Sequence, residues 1–126
     1  MANEKLVLST LPKTWVFDID GTIVVHRKPE ETREDILLEG VKDFFDKIPK
    51  EDVIILLTAR KDDKKEMTEN FLNNNGIRYD HIIYNVPAGE RILINDIKPK
   101  GLKTAIALNV ERDIFPKIDI EIDKSI

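Results

Sequence analysis

Thr14-Trp15-Val16-Phe17-Asp18-Ile19-Asp20-Gly21-Thr22-Ile23-Val24 is the stretch whose reading sets the fold. An apolar run meets two carboxylates, Asp18 and Asp20, before Gly21 lets the backbone turn and Thr22 supplies a hydroxyl. A run apolar on both faces reads as a buried strand of a parallel sheet. Acids at the carboxyl end of such a strand sit where open α/β sheets place their ligands. Asp-Gly alone is an ordinary turn former. Two carboxylates at one strand end, however, repel each other unless a cation lies between them. The block therefore reads as a site rather than as a turn.

The segments on either side repeat the pattern. Val53–Leu57 is a second uninterrupted, β-branched run, and it ends in Thr58-Ala59-Arg60. A hydroxyl and backbone N–H groups between a parallel strand and a helix can bind a phosphate oxygen. Arg91–Asp96 reads as a third buried strand closing in an acid, followed by Ile97-Lys98-Pro99-Lys100-Gly101. Between the strands, Val41, Phe44, Phe45 and Ile48 share one helical face until Pro49. A second helix is capped by Asp62 or Asp63, turns Met67, Phe71 and Leu72 inward, and stops at Asn73–Gly76. Tyr79–Tyr84 predicts a short strand, and Leu102–Leu108 a last short helix. Three buried strands alternating with helices make an α/β, mostly parallel, doubly wound sheet. Leu6–Leu8 and the alternating Ile118–Asp123 are surplus to that minimal fold. As exposed strands they invite pairing across an interface, so a homo-oligomer is expected.

Smaller readings fill in the rest. Val25–Glu31 is a polar loop or small hairpin above the first strand end, and its charges are those of a solvated run. Within it His26 and Arg27 are candidate substrate contacts, as is Arg60 after the second strand. His81 has no metal-ligating partner at usable spacing and reads as a structural or surface histidine.

Composition bounds the function. The chain has 126 residues, 35% of them charged, and a net charge of −4. That length fits one domain, spanning 1–126 with its core at about 14–110. An acidic balance argues against a nucleic-acid partner held by its phosphates. No cysteine is present, which removes disulfides and thiolate chemistry. No run approaches the ~20 apolar residues of a membrane span, and the start lacks the features of a signal peptide. A cytoplasmic protein with no membrane partner is the expectation.

Val16-Phe17-Asp18-Ile19-Asp20-Gly21-Thr22 resembles the first signature of the haloacid dehalogenase-like (HAD) phosphatase superfamily. Thr58 and Asp96, each closing an apolar strand, follow in that family's order. The resemblance covers roughly residues 14–110 and implies a Rossmann-like fold. Neither the gap from Thr22 to Thr58 nor that from Thr58 to Asp96 has room for a cap domain. It also implies a Mg²⁺ site formed by Asp18, the backbone carbonyl of Asp20 and Asp96, with Asp18 as nucleophile and Asp20 as general acid and base. Thr58 and Ala59 would bind the phosphate, beside a cation. Many members carry a second acid near the last signature, where this chain has Asn95. The cation is normally a lysine, but none lies between Lys65 and Lys98, so Lys98 and Arg91 are the candidates. Lys98, beside Asp96, is slightly preferred. Pro87–Pro99 is similar to small HAD-like proteins of bacterial capsule and surface-polysaccharide clusters, which implies a small sugar phosphate or polyol phosphate as substrate. Two other classes remain: a catalytically silent binding or scaffold protein, and a phosphorylated receiver domain. The second is disfavoured because its acceptor Asp would close the middle strand, where Thr58 stands.

Overall fold

A computed structural model describes residues 3–28 and 30–126. Met1, Ala2 and Pro29, the last within the predicted polar loop, lie outside the described residues. The elements run β1 (Asn3–Leu8), β2 (Thr14–Asp18), α1 (Val41–Lys47), β3 (Val53–Leu57), α2 (Lys65–Asn74), β4 (His81–Ile83) and β5 (Lys117–Ile122). One 3₁₀ turn, Asp62–Lys64, precedes α2, and neither Asp62 nor Asp63 caps that helix through its side chain. The chain is a small α/β domain with two sheets, one ordered β2-β3-β4 and the other a β1–β5 pair, and every strand pairing is parallel. No helix of the described residues is long and apolar enough to cross a membrane.

Register and the two-residue period of strands explain where the core lies. Trp15 is opposite Ile54, Phe17 opposite Leu56, and Leu56 opposite Ile82, so these side chains share one face. Both helices bury residues in the cluster on that face, Val41 and Phe45 from α1 and Leu72 from α2. Phe17 meets Phe45 with ring centroids 4.5 Å apart, and Phe44 bridges Trp15 and Phe115 at 5.5 and 5.3 Å. Tilted and edge-on aromatic pairs at such spacing add to the area that they bury. Phe115 thereby ties the start of β5 to the core. Buried Asp52 fixes the entry to β2, accepting the Lys13 N–H at 3.0 Å and the Trp15 indole N–H at 2.9 Å. Such pairing is what a buried carboxylate requires.

The other face of the β2-β3-β4 sheet is not covered. Val16, expected to be buried, is 54% exposed, and Val53 and Ile83 are exposed with it. The apolar run of β2 thus behaves as a one-sided strand. Its reading as buried on both faces needed a second layer that this chain does not place there.

Two predicted elements are not formed. Neither the Arg91–Asp96 strand nor the Leu102–Leu108 helix exists, and no helix or strand lies between Ile83 and Lys117. Instead, residues 87–112 leave the body as an arm. It reverses where the Lys98 N–H donates to the Leu102 carbonyl at 2.9 Å and the Gly101 N–H to the Lys98 carbonyl at 2.8 Å. An apolar run becomes a strand only where it finds an edge to pair with and a face to bury. Within one chain this run finds neither. The surplus segments at the two termini also differ from expectation. β1 and β5 pair with each other in register from Asn3↔Lys117 to Leu8↔Ile122. That pairing consumes one edge of each strand inside the chain.

Candidate active site at the carboxyl end of β2

The backbone beyond Asp18 forms a tight turn. Gly21 has φ +83°, a conformation that a side chain would strain, and a Cβ there would lie 3.2 Å from Arg112 Cγ. The Asp113 N–H donates to the Gly21 carbonyl at 2.8 Å, and the Asp113 carboxylate accepts the His26 N–H at 2.6 Å. The segment after the turn returns through Val25 N–H to Ile36 O and Leu38 N–H to Ile23 O, both 2.9 Å. This is the small hairpin expected above the strand end.

Asp18 is half-exposed at the tip of β2, with Arg91 Nη2 3.8 Å from its Oδ1. Burial raises its carboxyl above the usual range; the Ile19 N–H and Arg91 oppose this, the Asp20 charge adds to it, and His26 opposes it. A carboxylate, a neighbouring carboxylate and a guanidinium therefore converge on one strand end.

Asp20 is held differently. Arg60 Nε and Nη2 donate to its two oxygens at 3.1 and 2.8 Å, and the same guanidinium donates to both oxygens of Asp35 at 3.0 and 2.8 Å. Arg60 Nη1 also reaches Thr68 Oγ1 at 2.8 Å, and Thr68 in turn donates to the Lys64 carbonyl at 2.7 Å. The side chains of Arg60 and Asp35 are 7% and 2% exposed. Burial works against the charge of Arg60. The hydrogen bonds and attraction of Asp20 and Asp35 more than offset it, so the guanidinium is held above its ordinary range. Bidentate pairs of this kind fix direction as well as charge. Arg27, 3.6 Å from Asp35, adds a second buried cation.

These contacts sort the predicted residues. Asp18, Asp20, His26 and Arg91 come together. The Arg60 and Arg27 side chains are instead buried against Asp35. Thr58 closes β3 as expected but is fully buried, and its hydroxyl accepts the Arg60 N–H at 3.0 Å. Ala59 is exposed at the same strand end. Asp96 and Lys98 lie on the arm, both exposed, and neither is among the charges that act on Asp18. Of the two candidate cations, the structure sets Arg91 and not Lys98 beside Asp18.

The sequence reading missed Asp35, Thr68 and Asp113. Asp35 follows Arg33 and Glu34 in a run of charged residues, and only its proximity to Arg60 in space distinguishes it. Among the described residues no three His, Asp or Glu side chains converge as a metal set. Asp18 and the Asp20 carbonyl, to which no backbone N–H of the described residues donates, are oxygen ligands of the type that Mg²⁺ takes. Asp96 of the same chain does not join them, so one chain supplies the expected ligand set only in part. Compared with known proteins, the chain matches no family model, no curated protein and no solved structure.

Proposed function

We propose that this protein is a phosphomonoesterase in which Asp18 attacks phosphorus and the ester oxygen leaves, forming an aspartyl-phosphate that water then hydrolyses. The observation that carries the reading is the half-exposed Asp18 carboxylate at a parallel strand tip, flanked by Arg91 and by a second carboxylate on a buried clamp. The parallel strand order β2-β3-β4 with an acid at the tip of β2 supports a HAD-like fold without a cap. Both helices, however, lie on one face of the sheet, and the expected doubly wound layering is not formed within one chain. Arg91 is placed to offset phosphate charge during in-line attack. Asp20, fixed by Arg60, is the base for the hydrolytic water. Its role as acid toward the leaving oxygen requires one Arg60 hydrogen bond to give way. Mg²⁺, when bound, would neutralise the repulsion between carboxylate and phosphate. A small sugar phosphate or polyol phosphate is the proposed substrate class, and the cytoplasm the proposed location.

A test is phosphate release from such esters with Mg²⁺ and with excess chelator, comparing wild type with Asp20→Asn. The proposal expects Mg²⁺-dependent release, slowed roughly 10²–10⁴-fold by the substitution. Equal release by both proteins would remove Asp20 from the chemistry. A second reading, a catalytically silent binding protein, is favoured by one observation: Asp96 is exposed on the arm and does not join Asp18 in a three-residue acidic set among the described residues. Binding of a phosphate ester without turnover in the same assay would select it.

A further inference from the structure

The arm is the most apolar exposed feature of the molecule. Ile92, Leu93 and Ile94 are 83%, 63% and 91% exposed, and Ile97 and Ile106 are exposed as well. Contiguous apolar surface of this kind marks an interface. The arm is also held in shape. Besides its turn, Asn95 Nδ2 donates to Thr104 Oγ1, and Thr104 Oγ1 to the Asp96 carbonyl, each at 2.6 Å.

The same chain carries a matching surface. Among the described residues β2 has a strand partner on one side only, so a row of backbone donors and acceptors along its other edge is open to another strand. Beside that edge lies the uncovered sheet face with Val16, Val53 and Ile83. Charge is complementary too. Residues 87–112 hold five Lys or Arg against three Asp or Glu, which leaves the remainder of a −4 chain at −6.

The arm cannot serve its own edge in the parallel sense that every strand pair here uses. Arg91 is anchored at the carboxyl end of β2 through Asp18, whereas parallel addition needs it at the amino end. Four residues of strand at about 3.3 Å each put that end roughly 13 Å away. We propose that the occupant is a second copy of this chain. In the resulting dimer, Arg91–Asp96 of each copy adds as a parallel strand to the free β2 edge of the other, with Ile94 opposite Val16. Two-fold exchange of an identical element is a low-cost route to a closed dimer, and main-chain pairing of an added strand supplies affinity. The register also sets Asp96 of one copy opposite Asp18 of the other, so that each site is completed in trans. That consequence rests on the phosphatase reading; the docking does not.

The chain contains no cysteine, so an introduced pair is unambiguous. Full-length Val16→Cys and Ile94→Cys single variants, one carrying a size tag, are mixed and oxidised, and the double variant is oxidised alone. The expected result is a reducible mixed dimer from the singles and a covalent dimer from the double. Light scattering of the unmodified protein should give twice the 14.5 kDa chain mass. Ile92→Asp/Ile94→Asp should be monomeric with an unchanged circular dichroism spectrum. A double variant whose two thiols close within one chain would overturn the proposal, showing that the arm folds back. A monomer with both thiols free would overturn it equally.

Discussion

Arg60→Met tests the buried clamp on Asp20 and Asp35. Methionine keeps much of the stem's packing and removes the guanidinium, so that the loss is chiefly electrostatic. Asp35, 2% exposed, then keeps only Arg27 at 3.6 Å in place of two bonds at 2.8 and 3.0 Å. Removing one partner of a buried ion pair costs about 3–5 kcal/mol, because the other charge stays buried. The lower end applies here, since Arg27 remains and the desolvation cost of Arg60 itself is relieved. About 3 kcal/mol, at about 4 °C per kcal/mol for a domain of this length, lowers Tm by about 12 °C. Asp20→Asn provides the contrast. Its side chain is 27% exposed, and its loss should cost under about 1 kcal/mol. Denaturant melts followed by circular dichroism measure both. A loss below about 1 kcal/mol for Arg60→Met, or equal losses for the two variants, would refute the view that Asp35 depends on Arg60.

Three further outcomes follow from the same geometry. Arg91→Ala should lower phosphate release much more than Lys98→Ala when steady-state rates are compared; the reverse order would return the cation role to Lys98. Phe115→Ala should destabilise the fold by about 3–5 kcal/mol, read from denaturant midpoints, because Phe115 is the buried link to Phe44. Asp18→Asn should stabilise the protein at neutral pH. The folded-state pKa of Asp18 is raised, so its ionisation costs stability as pH rises above the unfolded value of about 4 and costs nothing below it. Tm compared at pH 3 and pH 7 should therefore show the gain only at pH 7, and a gain of the same size at both would contradict the burial of Asp18.

The parts of the fold visible in the sequence were those whose apolar pattern finds both an edge to pair with and a face to bury. Val53–Leu57 formed the strand that its β-branched run predicts, and the Val41–Lys47 and Lys65–Asn74 helices bury the expected Phe45 and Leu72. Arg91–Asp96 carries an equally good strand pattern and forms no strand, because a pattern states what a segment can bury and not whether an edge is within reach. The site divided in the same way. Asp18 and Asp20 stand out by their spacing. The clamp that holds Asp20 joins residues 20, 35, 60 and 68, and no local rule connects them. Arg60 was read as a substrate contact because it follows a strand end, yet buried Asp35 and partly exposed Asp20 take up its donors. Lys98 seemed better placed than Arg91 only on the premise of a formed 91–96 strand.

The most direct measurement is the steady-state release of inorganic phosphate from a panel of sugar and polyol phosphates by wild type and Asp18→Asn, both with Mg²⁺. Asparagine cannot form the acyl-phosphate, so wild type should turn over at least one ester and the variant none above background, with both proteins folded by circular dichroism. Near wild-type release from Asp18→Asn, or no release by either protein from any ester, would contradict the proposal.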